Sequence, residues 1–240
     1  MKKKARELML IYQRLYDSFG PQSWWPADSP FEVIVGAILT QNTSWENVEK
    51  AIAKLKEDRL LTPEGLFNIE ESLLAKAIRS SGYYNMKAKR LKSFISFLFG
   101  EFKGDLSIMF SEEVESLREK LLSVNGIGPE TADSILLYAG HKPIFVIDAY
   151  TKRVFSRHNL VSANAGYYET QDFFMKNLPK DERLYNEYHA LIVYLGKNYC
   201  KRKQNCLDCP VSSPDYFFDS QLKHRPGNNI EQDCSFLNRH

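Results

Sequence analysis

Asp148 follows the stretch Asn125-Gly126-Ile127-Gly128-Pro129 by about twenty residues. A Gly-x-Gly turn lets the backbone fold back tightly, and Pro129 suits the first position of a new helix because it has no N–H to lose there. Such a turn leaves amides uncovered at a helix start, beside the positive end of the helix dipole, which makes a site for one phosphate. A phosphate grip with an acid downstream reads as contact to a nucleic-acid backbone plus a carboxylate. That carboxylate could stabilise positive charge on a sugar or activate water. Asp148 also fits a plain structural role, the N-cap of a helix beginning Ala149-Tyr150-Thr151, and the two roles are compatible.

The elements that must position these residues carry the helix period throughout. Val114, Leu117, Leu121 and Leu122 share one face before the turn, and Ala132, Ile135, Leu136 and Ala139 share one after it. Gly140 is placed to end that second helix. Thr43 or Ser44, with Asn42 competing, would start a helix through Val48, Ala51, Ile52 and Leu55. Another begins near Asn85 and runs through Leu91, Phe94 and Phe97, and Glu71–Ile78 and Tyr185–Tyr194 add two more. No convincing run of strands is present, so the predicted class is all-α. Breaks near Trp25-Pro26 and His141-Lys142-Pro143 predict a lobe of about six helices over 29–142. Residues 1–28 and 143–240 then form a second lobe, irregular from about Ser212.

With 240 residues, 43% hydrophobic and 26% charged, the chain has the composition of a globular protein. Its net charge is only +2, so a polyanion must be met by local patches. Lys2-Lys3-Lys4-Arg6, Lys87-Lys89-Arg90-Lys92, Lys152-Arg153 and Lys201-Arg202-Lys203 are the candidates. Each alone could be a solvated face; four around a phosphate-binding turn favour DNA. No apolar stretch approaches the roughly 20 residues needed to cross a bilayer. The basic N-terminus keeps Leu8, Ile11 and Leu15 at helical spacing, which suits an amphipathic helix of a cytoplasmic protein better than a signal peptide. Three of the four cysteines fall within ten residues, pointing to metal chemistry before disulfides.

The glycine turn followed by Val146-Ile147-Asp148-Ala149-Tyr150-Thr151-Lys152-Arg153-Val154 resembles the signature of the endonuclease III superfamily of DNA glycosylases: helix-hairpin-helix, Gly/Pro-rich loop and aspartate. Gly36–Thr43 is similar to that family's early helix and wedge loop, and Ser81–Arg90 to its second DNA-facing loop. The resemblance covers roughly residues 24–200. Within the superfamily, Trp24-Trp25-Pro26, Gln41-Asn42-Thr43 and the segment from Gly82 to Leu91 are most similar to bacterial 3-methyladenine DNA glycosylases.

The resemblance implies a two-lobed helix-hairpin-helix fold with its active site in the cleft between lobes. It implies a monomeric base-excision-repair enzyme acting on damaged double-stranded DNA, cytoplasmic or nucleoid-associated. Asp148 would be the catalytic carboxylate. Glu130 stands where bifunctional members carry the lysine that attacks the sugar; a carboxylate forms no Schiff base, so coupled strand cutting should be lost. Otherwise Glu130 is an acid well placed in a first helical turn. Gln41 and Tyr83 match the two wedge positions, one filling the gap left by the flipped base and one pushing into the opposite strand. Asn85, Lys87, Gly126, Gly128 and Thr131 would contact the DNA backbone. Trp24 and Trp25 would line the base pocket, where an indole face attracts a cationic alkylated purine; as core aromatics they would need no ligand.

Cys200-x5-Cys206-x2-Cys209-Pro210 resembles the family's C-terminal 4Fe–4S loop, with its first gap one residue short. Asp215 stands where the fourth ligand is expected, leaving Cys234 to close the site across a longer loop. Four thiolates would serve iron–sulfur or zinc, and the alternative is a loop of reduced, unligated thiols. The leading expectation is thus a monofunctional glycosylase for alkylated purines. An endonuclease III-like glycosylase for oxidised or deaminated bases, with lyase activity, is the first alternative. A non-catalytic helix-hairpin-helix DNA-binding protein is the second.

Overall fold

The computed structural model describes residues 3–203 and 205–212, and every regular element among them is helical. In chain order the first are α1 (Lys3–Phe19), α2 (Pro30–Leu39), α3 (Trp45–Glu57), α4 (Pro63–Asn68) and α5 (Glu71–Ala77). A 3-10 turn (Arg79–Ser81) precedes α6 (Tyr84–Phe102), α7 (Leu106–Ser111), α8 (Val114–Ser123) and α9 (Pro129–Ser134). Helix α9 runs directly into a π-helical segment, Ile135–Ala139, and α10 (Ala149–Arg157), α11 (Tyr167–Asn177) and α12 (Glu182–Asn198) follow. No described helix is long and apolar enough to cross a membrane. The chain divides into two compact units, one of residues 25–144 and one of residues 1–24 with the segment from Phe145 onward.

In the unit of residues 25–144, α2 is the central rod: all of Phe31–Leu39 is buried. Its start is capped twice: Ser29 Oγ, at the N-cap, accepts from the Glu32 amide at 3.2 Å, and Glu32 Oε2 reaches back to accept from the amide of Asp28, one residue before the cap, at 3.0 Å. Lys56 on α3 completes the cluster with a 2.7 Å ion pair to Glu32. Helices α3, α6 and α9 with its π segment pack around this rod. The sequence pattern predicts one continuous α-helix from Pro129 to Ala139. The structure widens its last turn instead, where the Gly140 amide reaches the Ile135 carbonyl five residues back.

The other unit is held by aromatic rings. Phe145 stacks on Phe174 with centroids 4.3 Å apart, and Phe155 meets Phe174 edge-on at 4.7 Å. Tyr188 is fully buried, and its hydroxyl donates to the Leu8 carbonyl of α1 at 2.8 Å, which pins the N-terminal helix to α12. Leu8, Ile11 and Leu15 are the buried stripe of α1, as their spacing predicts.

Candidate active site and nucleic-acid interface

Helices α8 and α9 with residues 124–128 form the helix-hairpin-helix. Gly126 adopts φ +87°, in the left-handed region, and a Cβ there would lie 2.3 Å from Arg90 Cγ. Gly128 has φ −92° and open space around it, and the start of α9 carries no side-chain cap. The two glycines therefore do different things, and their variants should separate. Gly126→Ala should lose about 1–2 kcal/mol of stability, because an L-residue is strained there and Arg90 must move. Gly128→Ala should keep its stability and lose only duplex affinity, because its methyl stands where a phosphate would approach. Thermal unfolding and fluorescence anisotropy on a duplex read the two effects.

Gln41, just beyond α2, is tied to this hairpin. Its amide nitrogen donates to the Gly126 carbonyl at 3.1 Å and to Thr131 Oγ1 at 2.8 Å, and its oxygen accepts from the Arg90 guanidinium. Thr131 is only 6% exposed, so its hydroxyl serves Gln41 and is not open to a phosphate, which corrects its expected role. Lys87 requires the larger correction. It is 1% exposed, and its ammonium donates to the Leu39 and Ser81 carbonyls at 2.8 and 2.5 Å, so it does not reach DNA. Burial, with Arg90 adding repulsion, pushes its pKa down to about 8. Lys92 is likewise engaged, donating to the Leu66 and Phe67 carbonyls at the end of α4. The predicted basic run of α6 thus presents mainly Lys89 and Arg90. Both border a hollow of about 600 Å³ beside Asn125 and Gly126.

Tyr83 is 68% exposed at φ +45°, an uncommon conformation for a bulky residue, and Asn85 beside it is also exposed. Backbone strain of this kind clusters at functional sites. Trp25 packs over Gly36, where a Cβ would meet the indole at 3.1 Å. It also meets Trp45 edge-on at 5.2 Å and Tyr138 at 5.4 Å. Trp25, Trp45, Pro26, Glu32, Glu49 and Lys56 line a hollow of about 230 Å³. Trp45 is a residue the sequence reading missed; an indole at the first position of a helix after a loop was the available signal. Trp24 is half-buried and belongs to the other unit. Glu130 is exposed in the first turn of α9.

In the second unit Asp148 is the N-cap of α10. Its Oδ1 accepts from the Thr151 amide and the Thr151 hydroxyl, both at 2.7 Å. Oδ2 faces His189 Nε2 at 3.8 Å, beyond a direct hydrogen bond. His189, on α12, is buried; desolvation pushes its pKa down, with the Asp148 charge pulling part of the way back. A lone histidine inside an apolar stretch of α12 gave no sequence signal of this contact.

Arg153 and Arg157, one turn apart on α10, hold the cysteine loop. Arg153 donates to the Gly196 and Cys200 carbonyls, and Arg157 to the Lys201 and Arg202 carbonyls and to Cys200 Sγ at 3.2 Å. Arg153 therefore leaves the predicted basic patch, while Lys201, Arg202 and Lys203 stay exposed. Cys200 and Cys209 are buried, and burial pushes the Cys209 thiol up. Among the described residues no three His, Cys, Asp or Glu side chains gather as a metal site, so Cys200, Cys206 and Cys209 do not by themselves fit a cluster. Cys234, the expected fourth ligand, lies outside the described residues.

With a hairpin, an exposed strained loop and a helix-capping aspartate in place, the chain was compared with known proteins. The profile of the HhH-GPD superfamily of base excision DNA repair proteins matches residues 35–180. The chain belongs to that superfamily. Over 214 residues it is 49% identical to a candidate DNA repair glycosylase of Methanocaldococcus jannaschii, covering 88% of this chain and 97% of that one. It is 30% identical to endonuclease III of Sulfolobus acidocaldarius, covering 81% and 85%. Among solved structures, the H. pylori 3-methyladenine DNA glycosylase bound to 1,N6-ethenoadenine aligns with a TM-score of 0.70 and 32% identity, covering 79% of this chain and 97% of that one. A non-covalent endonuclease III–DNA complex aligns at 0.75 with 22% identity, a likeness of fold. This HhH-GPD protein is a DNA glycosylase of base excision repair, an enzyme that acts on DNA.

Proposed function

We propose that this HhH-GPD glycosylase is monofunctional and releases alkylated purines such as 3-methyladenine from duplex DNA. The observation that carries the reading is Glu130, an exposed acid in the first turn after the hairpin, where an attacking amine would be needed for strand cutting. A carboxylate there forms no covalent imine with the sugar, which leaves hydrolysis. Asp148 is the proposed catalytic carboxylate. With Oδ1 fixed by the α10 amide and Thr151, its charge is held in one orientation to stabilise the oxocarbenium-like sugar or to receive a proton from water.

The choice of base rests on the aromatic corner. Trp25 and Trp45 line one hollow with Glu49 and with Glu32, the latter paired to Lys56, and an indole face there would attract a cationic heterocycle. A cationic base is already a good leaving group, so no strong general acid is required. The 32% identity to a 3-methyladenine glycosylase supports the same choice. Hydrolysis is redox-neutral, so the bond cleavage asks nothing of the cysteine loop, whose exposed Lys201, Arg202 and Lys203 would serve the phosphate backbone.

The test is a panel of duplexes carrying a methylated purine, an oxidised pyrimidine or uracil, analysed with and without alkali. We expect cleavage of the methylated-purine strand only after alkali, and no borohydride-trapped complex. Strand breaks without alkali would show that another amine does the work of the missing lysine. Preference for the oxidised pyrimidine would favour an endonuclease III-like activity instead.

A further inference from the structure

We propose that Lys87 is the positioning residue that fixes both DNA-facing loops at once, the one carrying Gln41 and the one carrying Tyr83. The inference rests on the glycosylase reading for what those loops do, and on the geometry for how they are held. Leu39 is the last residue of α2, and Ser81 is the last of the 3-10 turn. Both carbonyls point at the Lys87 ammonium, at 2.8 and 2.5 Å. Each loop departs from the carbonyl so held: Gln41 follows Leu39 by two residues, and Tyr83 follows Ser81 by two.

What makes this more than a buried lysine is the backbone it supports. Asn42 and Tyr83 both sit at positive φ, +55° and +45°. Strained conformations of that kind persist only where neighbours over-determine them. One ammonium with three donors can bridge two helix-end carbonyls that water or separate caps would otherwise satisfy. The ammonium lacks a carboxylate partner among the described residues. The charge bearing on it is Arg90, on its own helix, and α2 and the 3-10 turn offer it carbonyl oxygens. Burying a cation without an anion is costly, and charge-assisted bonds to both loops are what offsets it here. A side chain that joins the two wedge loops sets their spacing, which the flipping step must match.

The test is Lys87→Met, which fills the same channel with no donor. With a fluorescent base analogue opposite the lesion, we expect base flipping and single-turnover excision to fall together, by about 10²-fold if the loops drift by about 1 Å. Affinity for undamaged duplex, carried by the hairpin, should change little. Hydrogen exchange of amides 40–44 and 79–84 should quicken in the variant, while the α8–α9 hairpin keeps its protection. Exchange needs no substrate, so it decides the role of Lys87 even if the wild type releases none of the bases tried. A folded Lys87→Met with wild-type exchange in both loops would overturn the proposal. Should that variant fail to fold, Lys87→Gln puts a shorter, uncharged amide in place of the ammonium, and wild-type exchange and flipping in it would overturn the proposal equally.

Discussion

Asp148→Asn should abolish base release while leaving the fold untouched. Asparagine caps a helix as well as aspartate does, and its side-chain oxygen can still accept from the Thr151 amide and hydroxyl. Thermal unfolding should therefore match wild type. If the carboxylate charge stabilises the sugar or takes the water's proton, as proposed, the single-turnover rate should fall by about 10²–10⁴-fold. Duplex affinity should rise slightly, since a carboxylate that faced a polyanion is gone. Asp148→Ala separates the two roles from the other side. It should lose the same activity and, in addition, about 0.5–2 kcal/mol of stability with the cap. Equal activity in wild type and Asp148→Asn would reduce this residue to a cap.

The second large effect lies in the hairpin's support. Asp133 on α9 is completely buried, and its two oxygens accept from Arg118 Nε and Nη2 on α8 at 2.6 and 2.9 Å. This bidentate pair ties the two helices of the hairpin together. Asp133→Ala leaves a mostly buried guanidinium with its anion removed, which costs about 3–5 kcal/mol. We expect denaturant unfolding to show a loss of that size, with duplex affinity falling alongside as the hairpin angle loosens. Replacing both partners with apolar residues of similar volume should recover most of the stability, since a buried pair is often no better than good packing. If it does not, Arg118 and Asp133 hold more than each other.

The sequence made the fold legible where helices were long and amphipathic. The stripe Leu8, Ile11, Leu15 and the face Ala132, Ile135, Leu136, Ala139 are buried as their spacing predicts, as are Leu91 and Phe94 of α6 and Leu117 and Leu121 of α8, while Phe97, Val114 and Leu122 are only half-buried. Helices α4 and α7 were missed because six residues are too few to display a period; their caps, Thr62 before Pro63 and Asp105 after Gly104, were the readable signs. In the candidate site, residue types were legible and directions were not. A lysine or arginine in a basic run looks like a phosphate ligand until its partners are known. Lys87, Lys92 and Arg153 each turn to backbone carbonyls at helix ends, where a long cationic side chain satisfies groups that the helix leaves open. Trp45 and His189 reach Trp25 and Asp148 only through tertiary packing, which no local pattern records.

The measurement that bears most directly on the proposed activity is chromatography of the bases released from randomly methylated duplex DNA by the purified protein. The account predicts free 3-methyladenine, with the DNA strand intact until alkali is added. Retention of every methylated base, with release from oxidised or deaminated duplexes instead, would contradict it.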